Sequence, residues 1–374
     1  MLGGASFAVP SKRLLQEKRA AATANRMGND MVETTFEHPE FDEHEQVVFC
    51  RHPKSGLWAI IAIHDTNLGP ALGGCRIWRY ADSGAALTDV LRLSKGMTYK
   101  NALAGLDFGG GKAVIIADPR TERTPDLIAA FGDQVGYLGG RYLTAKDVGI
   151  TNADLEIIRT RTPYVTGVGA HGAGDPSPYT AVGIFAGLKA ALAYKFGTPD
   201  PAGRRVVIQG VGAVGFGLGE LLHGAGARLA VADIHADRAE RAVAAFGAER
   251  MGVDEAHRAD ADVFAPCALG AVLNERSIPE LGAPIVAGAA NNQMATPEDG
   301  QRLTDRGILY APDYVINAGG VISLAFPAGS DEAAILAKVE AIGATLTAIF
   351  RRADAEGRST AEVADRMAEE RFRR

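Results

Sequence analysis

Residues 205–233 limit the possible folds more than any other stretch of the chain. Arg205 to Gln209 (RVVIQ) reads as a buried strand, Gly210-Val211-Gly212-Ala213-Val214-Gly215 as a tight turn, FGLGELLHGAG as a helix, and RLAVAD as a second strand ending on Asp233. Parallel strands need such a crossover, so the segment predicts a doubly wound parallel sheet. The three glycines serve different ends. Gly210 permits the turn, Gly212 lets a pyrophosphate approach the backbone, and Gly215 lets helix and strand pack closely. The free N–H groups of the helix N-terminus favour the phosphates. Asp233 can accept hydrogen bonds from both hydroxyls of an adenosine ribose, whereas a 2′-phosphate there would meet a like charge. The cofactor expected is therefore NAD rather than NADP.

A chain of 374 residues calls for more than one core. QVVFC and LWAIIAIHD, separated by the turn RHPKSG, predict a hairpin. GAALTDVLRLSKGMTYKNALAG reads as a helix with Leu87, Val90, Leu91 and Leu93 near one face and Asp89 and Arg92 away from it. KAVIIADP reads as a buried strand, TPDLIAAFGDQVGYLGG as a Thr-capped helix, and RYLTAKDVG as a strand running into a loop. The Gly/Pro/Ser-rich stretch from Gly167 to Pro178 reads as a loop at a domain boundary. Strand and helix then alternate to about residue 330, and the remainder is helical in composition. The division expected is a disordered extension over 1–30, an α/β domain over 31–166, a dinucleotide-binding domain over 167–330, and C-terminal helices over 331–374 that pack back across both.

Partners are narrowed by composition. A net charge of -6 with interspersed signs offers no basic stripe for nucleic acid. Cys50, Cys75 and Cys267 lack the spacing of a disulfide framework or zinc site, so no metal is expected. No uninterrupted apolar run reaches the roughly 18 to 20 residues of a membrane span, so no membrane partner is expected and the compartment expected is the cytoplasm.

Two first-domain segments carry an excess of polar function: KGMTYKNALAG with Lys95 and Lys100, and LDFGGGKAVIIADP with Lys112. A phosphate loop would need Gly at 106 and Ser or Thr at 113, where Leu106 and Ala113 stand, so nucleoside triphosphates are disfavoured. Gly109 to Gly111 remain as permissive backbone that lets a ligand or another strand come close to Lys112. A zwitterionic amino acid needs a cation for its carboxylate, a carboxylate near its ammonium and a base to activate water. Two lysines in one water-poor cleft repel, so one can stay charged while the other falls toward neutrality. TAKDVG places Asp147 at a strand end, where open α/β sheets bind ligands. On local sequence alone, Lys112 and Asp147 are equally well solvated surface charges.

LGPALGGCRIWRY, LRLSKGMTYKNALAGLDFGGGKAVIIADP and APDYVINAGGVI closely resemble the leucine, valine and phenylalanine dehydrogenases of the glutamate dehydrogenase superfamily, over about Glu45 to Phe326. The resemblance implies a substrate domain that also oligomerises and a Rossmann domain facing it across a cleft. It implies a homo-oligomer that interconverts an amino acid with its 2-oxo acid and ammonia. It further implies that Lys100 binds the substrate carboxylate, that Lys112 activates water, and that Asp147 exchanges protons with the amine. Asn291 would fix the carboxylate near the nicotinamide, with Asn317 and Gly319 lining the same end and Thr180 and Asn317 facing the cofactor. The side-chain pocket would comprise Leu72, Gly73, Met97, Ala145, Val321 and Leu324. Leu72 stands where glutamate dehydrogenases carry lysine, and burying glutamate's second carboxylate unpaired would cost several kcal/mol, roughly. Branched-chain substrates (leucine, valine, isoleucine) are therefore expected, with phenylalanine as the alternative. A catalytically silent NAD-binding sensor or scaffold is the alternative of another class. Lys146 and Ile150 depart from the family's pattern around Asp147.

Overall fold

The structure is a computed structural model that describes residues 35–168, 175–268, 270–327 and 329–373. The disordered extension expected over 1–30 lies outside the described residues, as does part of the Gly167–Pro178 loop. The chain divides into two units, residues 1–43 and 44–374. Of the first, the described residues form one 3-10 turn, Thr35–Glu37, with Phe36 edge-on to Phe41 at 5.3 Å.

The larger unit holds two sheets. The first consists of β1 (Gln46–His52), β2 (Leu57–Asp65), β3 (Ala71–Trp78), β4 (Gly109–Ile116) and β5 (Tyr142–Lys146), in the order β1-β2-β4-β3-β5. The expected hairpin is β1/β2, antiparallel like β2/β4, whereas β3 pairs parallel with both β4 and β5. Strand side chains alternate between faces. Cys75 and Ile77, Ala113 and Ile115, and Tyr142 share one buried core with Ile128, Phe131 and Val135 of α2 (Pro125–Tyr137) and Leu155 and Ile158 of α3 (Asn152–Arg161). The opposite face is covered by α1 (Ser83–Leu103), whose first turn is capped by Asp82 accepting from Ala85 N at 2.8 Å.

Strand β4 begins three residues earlier than the sequence suggests. Gly109, Gly110 and Gly111 are strand residues, and the close neighbours they admit are protein. A Cβ on Gly109 would lie 1.9 Å from Asp65 O, on Gly110 2.1 Å from Thr98 N of α1, and on Gly111 2.8 Å from the Tyr142 ring. Strand β3 escapes a sequence reading because its Gly-Gly centre breaks the apolar alternation.

The second sheet is entirely parallel: β6 (Arg205–Gln209), β7 (Arg228–Ala232), β8 (Glu249–Arg250), β9 (Val263–Pro266), β10 (Ile285–Val286) and β11 (Leu309–Tyr310), in the order β11-β10-β9-β6-β7-β8. It is buried on both faces, Val206 and Ile208 in one core and Val207 in the other. The elements that carry its ligand edge are α4 (Ser177–Phe196), α5 (Ala213–Gly224), α6 (Ala236–Phe246), α7 (Glu298–Asp305), α8 (Asp313–Ile316) and α9 (Gly319–Ala325).

Three C-terminal helices follow: α10 (Glu332–Glu340), α11 (Ile342–Glu356) and α12 (Thr360–Phe372). By length and composition Glu332–Glu356 is apolar enough to cross a membrane, although Lys338 and Glu340 interrupt its apolar run. Its Ile335, Val339, Ile342, Leu346, Ile349 and Phe350 lie in the second sheet's core with Ile184 and Leu188 of α4, and 33% of its apolar stretch is buried. The tail also meets α1: Phe372 packs on Tyr99 at 5.3 Å, and Tyr99 Oη donates to Glu369 at 2.8 Å.

The approach of α1 to a glycine strand is testable. Gly110→Ala, whose Cβ would overlap the Thr98 backbone, is expected to lower unfolding free energy by about 2 kcal/mol or more, at the upper part of the usual overpacking range. Urea denaturation measures it, and an unchanged midpoint would refute the packing argument.

Candidate active site

The glycine turn is built as its sequence suggests. Gly210 has φ 96°, and a Cβ there would lie 2.7 Å from that of Ala268; one on Gly215 would lie 2.0 Å from Gly210 O. Gly212 faces open space, and as N-cap of α5 it has no side chain to satisfy the helix's first N–H groups. These donors, at Ala213, Val214 and Gly215, are those an anion takes. Asp233 Oδ2 accepts from Val211 N and Oδ1 from His235 N, both at 2.8 Å, which aims the carboxylate alongside the turn. A cavity of about 660 Å³ borders Gly212, Ala213, Phe216, Ser177 and Arg238. Thr180, in the first turn of α4, lies against α9, where a Cβ on Gly320 would meet its Oγ1 at 2.8 Å. Nearby, buried Asn317 donates through Nδ2 to Ala289 O at 3.0 Å and Asn291 Oδ1 at 2.8 Å, while its own Oδ1 has no partner. An orphaned amide oxygen, a glycine gap and an uncapped helix together fit a dinucleotide with a carboxamide at its far end.

On the first sheet, alternation puts Leu72 and Arg76 of β3, Lys112 of β4, and Ala145 and the following Asp147 on the side of α1. Lys112 is buried, and its Nζ lies 2.7 Å from Asp147 Oδ2. Gly74 is needed for this, because a Cβ there would sit 2.9 Å from that of Asp147. Asn101 of α1 ties the strands beneath, its Nδ2 donating to Gly109 O at 2.6 Å and Leu72 O at 3.3 Å. Burial would push the Asp147 carboxyl up, but the adjacent Lys112 and Arg76 outweigh it and hold the group below the usual carboxylate range.

Lys100, on the same helix face as Met97, reaches the second domain. Its Nζ donates to Asn291 Oδ1 at 3.4 Å, so Lys100, Asn291 and Asn317 form one chain across the cleft. Burial pushes the Lys100 ammonium down to about 8; Asp313 and Asp147 oppose the fall and Lys112 adds to it. The depressed lysine is thus the one facing Asn291, while Lys112 is locked to a carboxylate. Asp313 itself accepts from Gln293 N at 3.1 Å and Tyr314 N at 2.7 Å.

The residues expected to line the side-chain pocket stand on two groups of elements, the first sheet with α1 and helix α9. Leu72 and Ala145 are buried, and Gly73 can carry no side chain, since a Cβ would lie 1.7 Å from Gly111 O and 3.3 Å from Met97 Cγ. Val321 and Leu324 stand on α9, where Leu324 fills the space a Cβ on Gly167 would take, at 2.7 Å. Lys146 is exposed, and Ile150 is buried in the first core. Sequence reading missed Arg76, Asp89 and Asp313. Asp89, placed there away from the apolar face, instead accepts from Arg76 Nη1 at 2.9 Å.

Two family models match. One, described as the dimerisation domain of Glu/Leu/Phe/Val dehydrogenases, covers residues 44–164; the other, described as glutamate/leucine/phenylalanine/valine dehydrogenase, covers 230–370. Leucine dehydrogenase of Bacillus subtilis (strain 168) is 48% identical over 342 residues, 91% of this chain and 94% of that one. Phenylalanine dehydrogenase of Bacillus thermotolerans is 47% identical, over 91% of each. The crystal structure of L-tryptophan dehydrogenase from Nostoc punctiforme aligns with a TM-score of 0.77 at 45% identity, covering 88% of this chain and 96% of that one.

The position of the Lys100 ammonium predicts a pH dependence. Its charged form, present below about 8, attracts a carboxylate, and the attraction is lost as pH rises through that value. Affinity for 4-methylpentanoate, measured by calorimetry, is expected to fall between about pH 7 and about pH 9.5 in the unmodified protein and to stay flat in Lys100→Met. Equal affinity at both pH values in the unmodified protein would contradict the assignment.

Proposed function

Because the chain belongs to the glutamate/leucine/phenylalanine/valine dehydrogenase family and is an oxidoreductase acting on CH–NH2 groups, we propose that it oxidatively deaminates branched-chain L-amino acids with NAD, and runs the reverse reductive amination. The observation that carries this reading is the ion pair at 2.7 Å between buried Lys112 and half-buried Asp147, with Lys100 on the adjoining helix and uncharged Leu72 beside them. The 48% and 47% identities to curated leucine and phenylalanine dehydrogenases over 91% of this chain argue against a silent sensor.

In this reading Lys100 and Asn291 hold the substrate carboxylate. Asp147, kept ionised by its neighbours, accepts a proton from the amine. Lys112 in its neutral form takes a proton from the water that attacks the imine carbon; Asp147 returns its proton to the carbinolamine nitrogen and receives the one from the hydroxyl, so that ammonia leaves as the carbonyl forms. NAD, when bound, accepts the hydride from the α-carbon. Gly210, Gly212, Ala213, Val214 and Gly215 would hold its pyrophosphate, Asp233 the adenosine ribose, and Thr180 and Asn317 the nicotinamide end. Leu72, Gly73, Met97, Ala145, Val321 and Leu324 would enclose the side chain. Phenylalanine is the second reading, favoured by the identity to a phenylalanine dehydrogenase. Self-association through the first domain is supported by the description of the model that matches it and by the exposed Phe49 of edge strand β1 beside exposed Trp58.

An initial-rate panel tests the reading. Leucine, valine and isoleucine are expected to react well with NAD and poorly with NADP, phenylalanine more slowly, and glutamate hardly at all, since no cation at Leu72 pairs its second carboxylate. A preference for glutamate would overturn the substrate assignment, and equal use of NADP the cofactor assignment.

Lys112→Ala should separate binding from chemistry. Turnover is expected to fall by at least about a hundredfold, as for loss of a general acid–base group, while NAD affinity is retained. Near-normal turnover would remove Lys112 from the mechanism.

A further inference from the structure

Asp147 lies one residue beyond β5, between exposed Lys146 and exposed Val148, and its own segment supplies one contact, the Val148 N–H donating to the carboxylate. The partner that reaches it from elsewhere besides Lys112 is Arg76 of β3, whose Nε lies 3.3 Å from Asp147 Oδ2. Arg76 is itself anchored: Nη1 donates to Asp89 Oδ2 of α1 at 2.9 Å, and Tyr80 Oη donates to that same oxygen at 2.5 Å. The chain Tyr80–Asp89–Arg76–Asp147–Lys112 thus runs through β3, the β3–α1 connection, α1, β4 and the end of β5.

We propose that Arg76, on the reading above, is a positioning residue that fixes the Asp147 carboxylate for proton exchange with the substrate amine. Both cations engage Oδ2 and the Val148 N–H donates to the same carboxylate, which leaves acceptor capacity for an ammonium. A rigid guanidinium fork limits the rotamers of a loop carboxylate more effectively than a flexible ammonium does. Arg76 also keeps the carboxylate ionised as Lys112 changes protonation. The groups facing Asp147 are Lys112 from β4, Arg76 and the Cys75 thiol from β3, buried Tyr142 from β5 and Lys100 from α1, with Asp89 and Tyr80 behind Arg76.

The test compares full-length Arg76→Met, Arg76→Lys and Asp89→Asn with the unmodified protein, using leucine and NAD. In Arg76→Met, kcat is expected to fall at least about tenfold while KM changes less than about threefold. The acidic limb of its pH profile is expected to move to higher pH, because a removed cation makes Asp147 easier to protonate. Arg76→Lys is expected to recover part of both effects, and Asp89→Asn to fall between. Thermal midpoint and NAD affinity monitor folding. A folded Arg76→Met with kcat within about twofold and an unmoved limb, or a loss that Arg76→Lys does not relieve and pH does not touch, overturns the proposal. Should Arg76→Met fail to fold, the pH profiles of the other two variants decide in the same way. An unmodified protein inactive on the whole amino acid panel overturns the functional reading instead.

Discussion

The contact between Lys112 and Asp147 is the constraint around which the first domain is arranged. Taking charge out of water is unfavourable, and removing one partner of a fully buried pair costs about 3 to 5 kcal/mol, an upper bound here because Asp147 keeps part of its exposure. The pair stands because its surroundings answer the charges: Arg76 supplies a second cation to the carboxylate, and Asp89 balances Arg76. Four formal charges of alternating sign therefore occupy a site flanked by Leu72, Ala145 and Met97. A site of that kind is stable as a whole and intolerant of the loss of one member.

Backbone geometry makes the contact possible. Lys112 and Asp147 come from β4 and the end of β5, which do not neighbour each other; β3 lies between and pairs with both. A side chain on the middle strand would keep them apart, and Gly74 provides none. Gly110 does the equivalent for α1, letting Thr98 rest on the strand so that Met97 and Lys100 reach the same edge. Gly74 and Gly110 are thus packing devices, as Gly210 and Gly215 are in the second domain, whereas Gly212 opens space. The same residue type serves contact at some positions and clearance at others.

This contrast explains what could be read in advance. The dinucleotide turn was legible because glycines, helix and Asp233 occupy one continuous stretch, and each acts on its neighbours in sequence. The glycines at 109–111 were legible as a close approach, but Thr98, Asp65 and Tyr142, the groups that approach, are set by sheet order. Lys112 and Asp147 could be nominated, yet only the register of three strands brings them to 2.7 Å. Asp89 was placed on the solvent side by helix periodicity, because periodicity cannot anticipate a guanidinium rising from the sheet below. Asp313, whose charge bears on Lys100, lies more than two hundred residues away along the chain, beyond any local signal. The C-terminal helices were legible from composition, and α10 and α11 use their apolar residues to complete the core around α4.

Substrate selection follows from the same difference in scale between charge and volume. An unpaired carboxylate buried beside Leu72 would cost several kcal/mol, roughly, whereas one methylene more or less is worth about 1 to 3 kcal/mol. On the proposed reading, position 72 would therefore separate dicarboxylic from apolar amino acids sharply. The remaining residues assigned to the pocket, Met97, Ala145, Val321 and Leu324, would only grade apolar side chains by size. Met97 is also unbranched and adaptable, and it meets the substrate side through the gap left by Gly73. A pocket of this composition sets its charge class at one residue and its preferred size through several, so small changes in volume can shift preference among apolar substrates without disturbing the lysines or Asp147.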